Sequence, residues 1–104
     1  MTFSEIDIIF ERIFKDLQNI NITKGTEYAN SEDRLGNFKR IAATLQLSPE
    51  KVCYVYLRKH LDAIEYVLLG KKELSETFES RIKDAIMYLI LLNALHIEES
   101  KEYS

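Results

Sequence analysis

The stretch SPEKVCYVYLRKHLDAIEYVLLG, Ser48 to Gly70, decides the fold. Ser48-Pro49 is a helix start, with serine at the N-cap and proline at the first helical position, where its missing N–H costs nothing. Gly70 is a helix stop. The residues between are apolar at helical spacing over most of the circumference, with Tyr54, Arg58 and Glu65 making a narrow polar side. No part of the stretch alternates as a strand would.

Working outward, every other apolar run has the same period. Upstream, Ile6, Ile9, Phe10, Ile13, Phe14, Leu17 and Ile20 form one stripe, predicting a helix over about 4–19 with Ser4 as its cap. Residues 19–30 carry Asn21, Thr23, Gly25 and Asn30 and read as a polar loop. Ser31, followed by Glu32 and Asp33, is read as the cap of a second helix over about 31–46. Its core side is Leu35, Phe38, Ile41, Ala42 and Leu45, and Gly36 lies inside it. The third helix is the 49–69 stretch. After a charged connection, Ser75 is read as the cap of a fourth helix over about 76–98, with a polar tail that frays over about 98–104. Four helices with short connections predict an all-α antiparallel bundle in one domain over 1–104.

Composition narrows the classes. Three glycines and one proline in 104 residues exclude collagen-like and linker-rich chains and argue against an all-β domain. A net charge of -3 excludes a general polyanion binder. Arg34, Lys39 and Arg40 give the second helix some basic character, but no second basic helix accompanies it, which argues against DNA binding. The N-terminal MTFSEIDIIF has no basic start and is not read as a signal peptide. The apolar run from Ala85 to Leu92 is shorter than the ~20 residues of a membrane span. A cytoplasmic protein is expected. A lone cysteine, Cys53, and two histidines without metal spacing offer neither a disulfide nor a zinc site.

Polar residues that interrupt apolar sides are the candidate site. Lys59 and Asp62 share a sector with Val52, Val55 and Tyr66 and are expected to be partly shielded and paired at i, i+3. Arg81 and Asp84 repeat that spacing, in a sector continued by Tyr88, Leu91, Leu92 and Leu95. His60 falls between two apolar sectors. A third group is Lys24, Glu27, Tyr28, Asn30, Asp33, Arg34 and Asn37. In that group Asn30, Arg34 and Asn37 share a face if the second helix starts early. Arginine and lysine suit phosphate, asparagine and tyrosine suit a base, and Glu27, Asp62 and Asp84 suit Mg²⁺. The competing reading makes the charge pairs purely structural, fixing helix register. Asp62-Ala63-Ile64-x-Tyr66 is echoed by Asp84-Ala85-Ile86-x-Tyr88, either by chance or as two halves of one site.

Three blocks carry a resemblance: Lys24-Gly25-x-Glu27-Tyr28-Ala29-Asn30-Ser31-x-x-Arg34-Leu35-x-Asn37-Phe38, Lys59-His60-x-Asp62-Ala63-Ile64, and Arg81-x-x-Asp84-Ala85-Ile86-x-Tyr88-Leu89. Together they resemble a family of small bacteriophage and prophage proteins. More distantly they resemble the phage nucleotide-modification-associated domain and the all-α nucleoside triphosphate pyrophosphohydrolases of MazG type. The resemblance implies a nucleotide ligand, sites at Lys24, Glu27, Tyr28, Asn30, Arg34, Asn37, Lys59, His60, Arg81 and Tyr88, and a bacterial host. In the hydrolase version, Glu27, Asp62 and Asp84 hold Mg²⁺. Arg81 stands where the hydrolase pattern has a metal-binding glutamate, which turns the expectation toward capture of a nucleotide, including a signalling nucleotide, without turnover. A structural or protein-interaction module is the third expectation. The apolar excess of the third and fourth helices predicts a homo-oligomer formed through them.

Overall fold

A computed structural model of the chain describes residues 1–28, 33–71 and 75–100, at 24–28 the backbone alone. It contains four helices and, among the described residues, no strand, as the periodicity requires. The chain falls into two compact units, 1–34 and 35–104.

The first unit is built on α1, Phe3–Tyr28. Its start is a capping box. The Glu5 N–H donates to Thr2 Oγ1 and the Thr2 N–H donates to Glu5 Oε1, both at 3.1 Å. The cap is therefore Thr2, and Ser4 lies inside the helix. The expected loop over 19–30 is helical as far as Tyr28. Its turn-favouring residues are absorbed rather than obeyed: the Thr23 hydroxyl bonds back to the Asn19 carbonyl at 3.0 Å. Beyond the helix, Arg34 Nε donates to Asn21 Oδ1 at 2.8 Å. The apolar stripe has two flanks. Leu17 is buried and Ile9, Ile13 and Ile20 are half-buried, whereas Phe3, Ile6, Phe10 and Phe14 are exposed.

The second unit is a three-helix bundle. Its α2, Gly36–Leu45, starts five residues later than expected, and Ser31 and Glu32 lie outside the described residues. No side chain caps it. The Leu35 carbonyl instead receives the Phe38 and Lys39 N–H groups, so Gly36 is the first helical residue. Of the expected core side, Leu35, Phe38 and Ala42 are buried and Leu45 is exposed. The helix closes through Gln46 at φ 58°, a left-handed cap.

The stretch from which the fold was read becomes α3, Pro49–Leu68. Ser48 Oγ accepts from the Lys51 N–H at 3.2 Å. At the other end Gly70 takes φ +81°, its N–H reaching the Val67 carbonyl and the Lys71 N–H the Tyr66 carbonyl. This is the double bond pattern of a Schellman stop. The last helix, α4, is Phe78–Ser100. Thr77 caps it by accepting from the Ser80 N–H at 3.1 Å; the expected cap, Ser75, does not. The tail beyond Ser100 lies outside the described residues.

Helices α3 and α4 run antiparallel. Cys53 faces Tyr88, His60 faces Asp84, and Glu50 lies 3.4 Å from His96, so partners descend one helix as they climb the other. Lys39 of α2 pairs with Glu98 at the far end. The core is Leu35, Phe38, Ala42, Val52, Cys53, Leu57, Ala85, Met87, Leu91 and Leu95. Among the described residues no helix is long and apolar enough to cross a membrane.

Candidate functional site

The α3–α4 seam carries a polar and aromatic cluster at the end nearer their connection. Tyr88 enters it from α4 and stacks on His60, with ring centroids 5.2 Å apart and planes 20° apart. Tyr56, one turn before His60, lies nearly parallel to Tyr88 at 6.0 Å. Phe38 of α2 meets both tyrosines edge-on. Such edge and stacked contacts add to burial by aligning ring edges and faces. They fix the plane of the imidazole.

His60 Nδ1 is buried and has no hydrogen-bond partner; Asp84 Oδ2 is 3.7 Å away. Burial lowers the histidine pKa. Asp84 opposes that shift, Lys59 and Arg81 reinforce it, and Glu76 opposes it weakly. His60 is therefore biased toward the neutral ring. Arg81, one turn before Asp84, points back to the helix start. Its Nε is 3.6 Å from Glu76 and its guanidinium reaches Ser75 Oγ at 3.5 Å. Cys53, fully buried, donates its thiol to the Tyr88 carbonyl at 3.5 Å. Burial pushes its pKa up to about 11, which leaves it a structural thiol rather than a nucleophile.

The predicted site residues separate into groups. His60, Arg81, Asp84 and Tyr88 come together. The expected i, i+3 pairs do not form: Asp84 faces His60 across the seam, and Arg81 turns to Glu76. Lys59 and Asp62 are exposed on α3 instead of shielded. Asp62 is held by Arg58 at 2.9 Å, because i, i+4 on the polar side brings these two closer than Lys59 at i, i+3. With Tyr54, Val55 and Arg58 they line an open groove of about 480 Å³. Asn37 is exposed and accepts from Arg40 on its own helix. Since α2 starts at Gly36, Arg34 does not share its face; it lies in the first unit, bonded to Asn21. Asn30 and the side chains of Lys24, Glu27 and Tyr28 lie outside the described residues.

Among the described residues no three of His, Cys, Asp and Glu stand together as metal ligands. Of the set expected for Mg²⁺, Asp62 and Asp84 have separate partners, and the Glu27 side chain is not described.

The echo is broken by surroundings. Asp84 and Tyr88 face the seam, whereas Asp62 and Tyr66 are exposed, with Lys71 Nζ 5.1 Å over the Tyr66 ring. Sequence reading missed Tyr56 and Phe38 as parts of the cluster, and Glu76 as the partner of Arg81. Tyr56 had a signal in its i, i+4 spacing to His60, and Glu76 stood out by its Glu-x-x-Glu spacing to Glu79. No protein-family model, no curated protein and no solved structure matches the chain.

Proposed function

We propose that the chain is a small nucleotide-binding helical protein of bacteriophage type that holds its ligand without turnover. It would act in the bacterial cytoplasm as a homo-oligomer assembled through α3 and α4. The observation that carries this reading is the convergence of His60, Arg81, Asp84 and Tyr88 at one end of the seam, three of them with half-buried polar groups. His60 Nδ1 has no hydrogen-bond partner and stands 3.7 Å from Asp84 Oδ2. Arg81 supplies the cation for a phosphate, and Tyr56, the most exposed ring of the stack, a surface for a base. The separate partners of Asp62 and Asp84, and arginine at position 81, weigh against a Mg²⁺-dependent pyrophosphohydrolase.

The test is a nucleotide panel with and without Mg²⁺, read by thermal shift and by product analysis. An upward shift with intact ligand, lost in Asp84→Asn, supports the reading. Pyrophosphate release supports the hydrolase instead. No shift across the panel overturns both and leaves the protein-interaction module. That second reading is favoured by one observation, the exposed Phe3, Phe10 and Phe14 along α1.

A further inference from the structure

Within the cluster the Arg81 guanidinium already holds an anion, and that anion belongs to the chain. Glu76 Oε2 lies 3.6 Å from Arg81 Nε and accepts from the Ser80 hydroxyl at 3.4 Å. One oxygen atom thus meets a cation and a hydroxyl at once. Elsewhere on the guanidinium, Arg81 Nη2 donates to Ser75 Oγ at 3.5 Å.

The partners differ in how firmly they are held. Ser80 and Arg81 belong to the opening turns of α4, where Thr77 caps the Ser80 N–H. The Arg81 side chain is 20% exposed. Glu76 stands one residue before the cap, outside the helix, and its side chain is 45% exposed. A carboxylate this open to water gains little from its ion pair, because solvent competes for it. Glu76 can therefore turn out to solvent while Ser80 and Arg81 stay in place.

What holds the Glu76 oxygen also suits a phosphate oxygen. A guanidinium and hydroxyl donors lie together at the start of a helix, the end whose dipole favours negative charge. A phosphate that arrives with Glu76 in place meets an arginine whose charge is already matched. It gains Arg81 only by taking the position of the carboxylate.

We propose that Ser75, Ser80 and Arg81 form an oxyanion subsite, that Glu76 fills it in the free protein, and that the phosphate of a nucleoside monophosphate binds there by displacing Glu76. The exchange is one anionic group for one. A nucleoside brings no anion and leaves Glu76 where it is. Glu76 thereby sets the preference between nucleoside and nucleotide. The assignment rests on the nucleotide reading and deepens it by naming the ligand class.

The experiment is calorimetric titration of the full chain and of Glu76→Gln with inorganic phosphate, with adenosine, guanosine, cytidine and uridine, and with their 5′-monophosphates. Circular dichroism checks the fold of each variant. Glu76→Gln keeps an acceptor for Ser80 and removes the competing charge. It should bind phosphate and the preferred monophosphate roughly fivefold more tightly than the wild type, and the matching nucleoside equally. Adding Arg81→Gln to it should abolish that gain. If monophosphates bind the wild type and Glu76→Gln alike, the subsite is overturned and the nucleotide reading stands. If Glu76→Gln tightens inorganic phosphate but no nucleotide binds better than phosphate alone, the subsite stands and the nucleotide reading falls. Silence from both proteins across all the probes overturns both.

Discussion

His60 Nδ1 and Asp84 Oδ2 stand 3.7 Å apart across the α3–α4 seam, close enough to attract when the ring is charged and too far to share a hydrogen bond when it is not. The ring is buried and stacked on Tyr88, and burial outweighs the carboxylate. The pair is therefore poised around a neutral imidazole.

That balance fixes a pH dependence. A histidine whose folded pKa lies below its unfolded value of about 6.5 binds its proton more readily when the chain is unfolded. Its neutral form contributes stability above pH ~6.5, and this is lost as pH falls from there through the folded pKa. Melting temperature should drop on acidification through that window. His60→Phe, which keeps a ring against Tyr88 and removes the titration, should flatten the slope. Parallel melting curves for the two proteins would show that His60 is not responsible.

Leu95 is 1% exposed in the core of the second unit, whereas Leu68 at the end of α3 is 73% exposed. Leu95→Ala should cost about 2–5 kcal/mol, the transfer of its side chain plus the cavity left behind. Leu68→Ala should stay within about 0.5 kcal/mol. Urea titration of both variants measures the contrast, and equal losses would contradict the packing described.

Cys53 should resist alkylation in the native protein. With its pKa at about 11 the thiolate is on the order of one molecule in ten thousand at pH 7, and the sulfur is fully buried. Labelling should become fast only in denaturant. Rapid native labelling by iodoacetamide would place the thiol at the surface.

The caps can be tested against each other. Ser48→Ala and Thr77→Ala each remove a side chain that accepts an orphan N–H and should cost about 1 kcal/mol. Ser75→Ala should change stability by less than about 0.5 kcal/mol, since its hydroxyl only meets Arg81 at 3.5 Å. The reverse order would restore Ser75 as the start of α4.

The fold was legible wherever periodicity and punctuation agreed. Ser48-Pro49 and Gly70 bound α3 as read, and Leu91 and Leu95 continue the buried side of α4 below Tyr88. Legibility failed where weak local preference met a continuing helix. Asn21 and Thr23 favour turns by a few tenths of a kcal/mol each, too little to end a helix already propagating. It failed again for charge pairs. Spacing within one helix suggested Arg81 with Asp84, but the seam offered Asp84 a histidine from the opposite helix. The aromatic stack needs three helices to assemble, so Phe38 had no local signal that tied it to Tyr88.

The stop at Gly70 has a stereochemical consequence. A Cβ built there meets nothing within 4 Å, so the position has room for a larger residue. What it refuses is L-chirality, because φ +81° crowds an L side chain against its own backbone at roughly 1–2 kcal/mol. D-alanine at 70 suits that φ and should hold the end of α3 more firmly than glycine, by narrowing the choices of the unfolded chain. The residue that ends α3 is selected by handedness and not by size.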